Sequence, residues 1–168
     1  TYIDGYLDDP DPARRNLPLV VTINVEGDEM TVDLTGTTPQ VSDRPINMPL
    51  EGTVDIAIWL TVRSVLLDTD THGHIPVNDG LVRPIHIVAP KGCLANPVFP
   101  APTIARFCPG NQLADTVMKA LPEDAPQQVS AGIGNLRDIA FSALLDSTHW
   151  VHMELFQGSY GGRHGKDG

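Results

Sequence analysis

Asp68, Asp70, His72 and His74 alternate along the chain. In an extended segment that period puts two carboxylates and two imidazoles on one face. Such a set suits Zn²⁺, Mn²⁺ or Fe²⁺. The competing reading is a solvated connection, since Gly73 and the neighbouring threonines suit a turn. His149 and His152 stand three apart in a strand-like segment, so they face opposite sides and make a poor metal pair. Cys93 lies in the turn sequence Pro90-Lys91-Gly92-Cys93. A thiolate nucleophile needs a lowered pKa and a base. Neither is visible around Cys93 or Cys108, and both read as small residues filling turn positions.

The last stretch, Gly158 to Gly168, is dense in glycine and charge. Glycine at that density lets backbone approach a ligand or a second chain closely. The segment has the flavour of a phosphate loop, G-x-x-x-x-G-K-[ST]. The spacing fails, because Gly161 stands four before Gly165 rather than five. Asp167 follows Lys166 where a hydroxyl ligand for Mg²⁺ is required, and no helix follows to face a phosphate. A loop that contacts another chain or closes on a site fits better. No G-x-S-x-G, C-x-x-C, H-E-x-x-H or G-x-G-x-x-G pattern occurs.

These residues must be positioned by a chain rich in turns. Fifteen prolines and fifteen glycines in 168 residues argue against a helical bundle. Tyr2 to Leu7 reads as an edge strand, broken at Pro10. Leu19 to Val25 and Met30 to Leu34 alternate in period two around Glu26-Gly27-Asp28-Glu29, which predicts a hairpin. Gly36 to Pro49 reads as loop. Val54, Ala57, Ile58, Thr61, Val62 and Val65 recur at spacings of three and four, which predicts an amphipathic helix. Asp68 to Gly80 is turn-rich, and Leu81 to Val88 is strand-like with a break at Pro84. Pro109-Gly110 reads as punctuation before a second helix marked by Leu113, Val117 and Leu121 and ended by Pro122. Ile139 to Leu145 and His149 to Phe156 read as two more strands. The expected fold is α+β: a mostly antiparallel sheet with hairpins and two amphipathic helices.

The net charge of −10 disfavours nucleic acid and anionic membranes as partners, since both need a positive footprint. No apolar run reaches the length of a membrane span. Two cysteines make no disulfide framework and fit a reducing compartment, the cytoplasm. The chain lacks an initiator Met and ends on the glycine-rich segment. It is therefore read as a single partial domain, 1–168, of a larger subunit, cut at both ends.

Six segments in order over almost the whole chain resemble the hydantoinase B/oxoprolinase family. They begin with Asp4-Gly5-Tyr6 and Leu7-Asp8-Asp9. Val32-Asp33-Leu34-Thr35-Gly36-Thr37 follows, with Gln40 and Pro45-Ile46-Asn47 behind it. Next come Ile75-Pro76-Val77-Asn78-Asp79-Gly80 and Arg83-Pro84-Ile85. Pro90 to Pro97 then matches with Cys93 where serine is usual, and Pro100-Ala101 matches before a departure at Pro102 and Thr103. Last are Gly161-Gly162 and Lys166-Asp167-Gly168, separated by Arg163-His164-Gly165 where the family has small residues.

The resemblance implies one subunit of an enzyme that opens cyclic amides such as hydantoins, 5-oxoproline or lactams. The implied partner is a hydantoinase A-type ATP-binding subunit or domain, giving a hetero-oligomer in which ATP and Mg sit on that partner. It also implies Zn or Mn in a more N-terminal part of such a subunit, with no cofactor in this stretch. Asn47, Asn78, Arg83 and Asp167 match family positions, and Asn78, Arg83 and Asp167 are carried over as catalytic candidates. Asn78 could equally be a turn residue and Arg83 an ion-pair partner. Asp70, His72 and His74 remain the metal candidates within the chain. A subunit of a ketone carboxylase of the same family, or a non-catalytic scaffold, are the alternative readings.

Overall fold

Hydrophobic period and turn chemistry place most elements where the residues predict them. The computed structural model describes residues 2–4, 10–11, 15–121, 125–132, 134, 137–156 and 161–168. Leu7, the expected end of the first strand, and Pro122, the expected stop of the second helix, lie outside the described residues. Strand β1 (Tyr2–Asp4) pairs antiparallel with β2 (Asn16–Pro18). Strands β3 (Thr22–Glu26) and β4 (Glu29–Asp33) form the expected hairpin, with Glu26 opposite Glu29. Gly27 opens the two-residue turn at φ +64°. That left-handed value is cheap only without a Cβ.

The sheet is not wholly antiparallel. Strand β5 (Ile85–Val88) joins β4 in parallel, with Val32 beside Ile87. It is shorter than the 81–88 reading, because Asp79–Leu81 is a 3₁₀ turn and Pro84 supplies no ladder donor. The other three strand pairings are antiparallel, so the α+β class holds.

Helix α1 (Asp55–Leu66) follows a wide turn over Leu50–Val54. The Asp55 carboxylate accepts from the N–H groups of Gly52 (2.8 Å) and Ile56 (2.6 Å), which fixes the first turn. Ile58, Thr61, Val62 and Val65 are buried, as the spacing predicts. Ile56, Leu60 and Leu66 are apolar as well, yet they stay exposed. A helix apolar on most sides asks for cover on more than one face.

Helix α2 (Thr69–His72) is a single turn. Helix α3 (Phe107–Ala120) starts six residues before its first predicted core position, Leu113. Pro109-Gly110 does not punctuate it. Pro109 occupies the first turn, where its missing N–H leaves no intrahelical bond unmade. Leu113 and Val117 are fully buried against α1, and Leu121 nearly so. The core joins these to Val32 and Leu34 of the sheet region and to Met48 and Leu94 from the loops.

The loops are held by side-chain amides. Asn47 is fully buried: its Oδ1 accepts from the Val41 N–H (2.9 Å), and its Nδ2 donates to the carbonyls of Val41 and Pro102 (both 2.8 Å). Gln40 grips Val98 at both ends, accepting from its N–H (2.7 Å) and donating to its carbonyl (3.1 Å). Cys93 is buried in the turn that these contacts support, with Gly92 at φ +82°. Hydrogen bonds from the Thr35 hydroxyl and backbone N–H hold the Asp33 carboxyl below the usual carboxylate range.

Strands β6 (Arg137–Leu145) and β7 (Thr148–Phe156) form a second hairpin through Asp146 and Ser147, both at positive φ. That turn suits the twist of a two-residue loop. The hairpin joins neither of the other sheets.

Candidate functional site

The metal candidates are not brought onto one face. Asp68 caps helix α2 rather than continuing an extended chain. Its Oδ1 accepts from the Asp70 N–H at 2.7 Å, and its own N–H reaches His72 Nδ1 at 3.0 Å. Helical backbone over Thr69–His72 breaks the period of two on which the shared ligand face depended. Among the described residues, no three His, Cys, Asp or Glu side chains lie close enough together to hold a metal ion.

The three catalytic candidates also separate. Asn78 caps the 3₁₀ turn, its Oδ1 accepting from the Gly80 N–H at 2.9 Å, which is the turn role open to it from sequence. It also lines a cavity of about 370 Å³ between α1 and the sheet, with Val25, Met30, Trp59 and Arg63. Arg83 is exposed in the turn before β5, and no ion pair to it is formed among the described residues. Asp167 is exposed in the tail. Neither Arg83 nor Asp167 lines that cavity. Asn47, the fourth family-matched residue, is committed to loop structure.

A second concavity, about 480 Å³, runs between α1 and α3. Ala57, Leu60, Thr61 and Ser64 line it from α1, and Asn111, Ala114, Asp115 and Met118 from α3. Both sets follow the three-and-four spacing of one helix face. Phe107 and Thr53 close one end; Ser130 and Gly132 close the other. The Thr61 and Ser64 hydroxyls donate to the carbonyls of Ala57 and Leu60, both at 2.7 Å. Both hydroxyl protons are thus spent on their own helix.

Asp115 organises the glycine end. Its Oδ2 accepts from the Gly134 N–H at 3.1 Å. Gly132, at φ +88°, presses so close to that carboxylate that a Cβ would collide with it. The tail docks beside it. Ala131 N–H donates to the Gly162 carbonyl (3.0 Å), and Gly161 N–H donates to the Gly132 carbonyl (2.7 Å). A Cβ on Gly161 would stand 2.6 Å from Ala131 Cβ, so only glycine allows this approach. Arg163 and Lys166 then exchange backbone hydrogen bonds, both 3.0 Å, around Gly165 at φ +73°. The tail is thus a tight turn laid beside Ala131 and Gly132, at the groove's rim.

The α3 side chains of this groove were not singled out from sequence. The signal was present: Asn111 and Asp115 are four apart, hence on one helix face. With Pro109-Gly110 read as punctuation and Leu113 as the first marked position of the helix, Asn111 was given no place on it.

Among the described residues, no helix is long and apolar enough to cross a membrane. A family model described as hydantoinase B/oxoprolinase matches residues 1–168. A protein of Pseudomonas sp. (strain NS671), provisionally named as the B-type subunit of a D-/L-hydantoinase, is 62% identical over 167 residues, which cover 99% of this chain and 28% of that protein. An uncharacterized protein of Methanocaldococcus jannaschii is 30% identical over 83% of this chain and 23% of its own length. An uncharacterized protein of Schizosaccharomyces pombe is 26% identical over 83% of this chain and 10% of its own length. The chain therefore spans under a third of each of these relatives. With the family's pattern matched from the first residue to the last, the chain belongs to the hydantoinase B/oxoprolinase family.

Proposed function

We propose that this chain is part of the non-ATP-binding subunit of an enzyme that opens cyclic amides at the C–N bond. The observation that carries the reading is the 62% identity, over 99% of the chain, to a protein provisionally named as a hydantoinase B-type subunit. The groove between α1 and α3, about 480 Å³, has the size of a small-molecule pocket.

The chemistry to be overcome is amide resonance, which makes the ring carbon a poor electrophile. Phosphorylation of the amide oxygen by ATP, bound on a hydantoinase A-type partner, removes that resonance. Water then adds at the carbon, the C–N bond breaks with the nitrogen taking a proton, and the phosphoryl group leaves as inorganic phosphate. One water opens the ring and a second is consumed with the ATP. This stretch of chain contributes positioning. The cytoplasm, with its ATP and reduced thiols, is the compartment this reading requires.

The test is the full-length subunit assembled with its ATP-binding partner and supplied with hydantoin, 5-oxoproline or a lactam. Ring opening should appear only with ATP, matched by ADP release. Ring opening without ATP, turnover of no cyclic amide, or bicarbonate-dependent carboxylation of a ketone instead would overturn the proposal.

A further inference from the structure

The groove between α1 and α3 holds two polar side chains that the fold leaves unused. Thr61, Ser64 and Asp115 are all engaged, as described above. The Asn111 carboxamide and the Thr53 hydroxyl make no hydrogen bond among the described residues. They stand at the same end, because Gly110, the neighbour of Asn111, faces Thr53: a Cβ there would lie 3.6 Å from Thr53 Cγ2. Both residues are half-buried among apolar groups, including Ile56, Leu60 and Phe107. Ligand atoms that replace the remaining water on such a carboxamide gain affinity only if they satisfy its donor and its acceptor together.

A carboxamide presents an N–H and a C=O side by side. Its complement is a group that offers a C=O and an N–H on one edge. The same fold already uses this pairing twice, Gln40 on Val98 and Asn47 on Val41. In those two cases the edge is the N–H and C=O of one extended residue, drawn from two neighbouring trans amides; lactam and hydantoin rings carry the same edge within a single amide, because ring closure holds it cis.

We propose that Asn111 binds the cis-amide edge of a five-membered cyclic amide, laid in the groove between α1 and α3 beside Thr53. The inference rests on the function proposed above and assigns that function a place in this chain. Asn111 recognises the ring directly, and the groove's apolar wall takes the ring's carbon face or substituent.

The probes are hydantoin and 1,3-dimethylhydantoin, which keeps the ring and both carbonyls but has no N–H. Binding to the full-length subunit is titrated by ligand-observed NMR. The unsubstituted enzyme should prefer hydantoin by about tenfold or more, the worth of one bidentate amide pair. Asn111→Leu should abolish that preference. Asn111→Asp keeps the shape but loses the donor; it should weaken hydantoin binding by a similar factor, and it serves if the leucine variant fails to fold. In the assembled complex both variants should raise KM for hydantoin more than they lower kcat. A preference for hydantoin that survives in both variants, or no hydantoin binding at all, overturns the proposal. Turnover of hydantoin with an unchanged KM in the variants would remove the site and leave the functional reading standing. Binding lost in the variants, but with no turnover by the unsubstituted complex, would do the reverse.

Discussion

At the residue scale, carboxamides divide the labour of this chain. Asn47, Gln40 and Asn96 are spent on backbone: Asn96 Nδ2 donates to the Ala89 carbonyl at 2.8 Å, as the others do elsewhere. Asn111 is not spent. The distinction yields a stability prediction. Asn47→Ala removes the side-chain partners of the Val41 N–H and carbonyl, and one of the two partners of the Pro102 carbonyl, which keeps the Asn47 backbone N–H. It should destabilise the chain by about 3 kcal/mol, the cost of unmet buried polar groups, seen as a lower urea midpoint with an unchanged slope. Asn111→Ala, measured the same way, should cost less than about 0.5 kcal/mol, because it removes no bond of the fold. Equal losses at the two positions would contradict this assignment of roles.

At the scale of elements, α1 is read from both sides. Its buried face packs on α3, while Ile56, Leu60 and Leu66 look outward into the two cavities. Leu113→Ala, at the fully buried contact between α1 and α3, should cost about 2–5 kcal/mol through the cavity it leaves. Leu60→Ala on the same helix pair, 54% exposed, should cost under about 1 kcal/mol. Thermal or urea unfolding of the two variants checks this. A costly Leu60→Ala would mean that the groove is filled rather than open. Much of this level was legible beforehand: the three-and-four spacing around Ile58 and the alternation around Gly27 are local patterns with local causes. The beginning of α3 was not, because proline and glycine are breakers mid-helix yet acceptable in a first turn. Only packing distinguishes the two.

At the scale of the whole molecule, hairpin β6–β7 is the outlier. Ile139, Phe141 and Trp150 lie on one face, Leu144, Val151 and Met153 on the other, each 45% to 67% exposed. Trp150 and His152 stack at 6.0 Å, and His152 meets Glu154 at 2.7 Å, but both are surface contacts. A two-stranded ribbon apolar on both faces is marginal in water, and apolar surface of this extent marks an interaction or aggregation site. The 168-residue chain alone should therefore bind the dye ANS and self-associate in sedimentation velocity, despite its charge of −10. Phe141→Lys with Val151→Lys, one on each face, should reduce both signals. A monodisperse chain that binds no dye would refute this. By itself the sequence determined the hairpins, the buried stripe of α1, the α+β class and the family, because period, turn residues and motif order are written locally along the chain. Only the tertiary structure decided that β5 joins β4 in parallel, that α2 interrupts the Asp–His alternation, and that Asn47 is consumed while Asn111 is free. The reason is physical: whether a polar group is satisfied depends on partners far away in sequence, as Pro102 is from Asn47, and no local pattern encodes them.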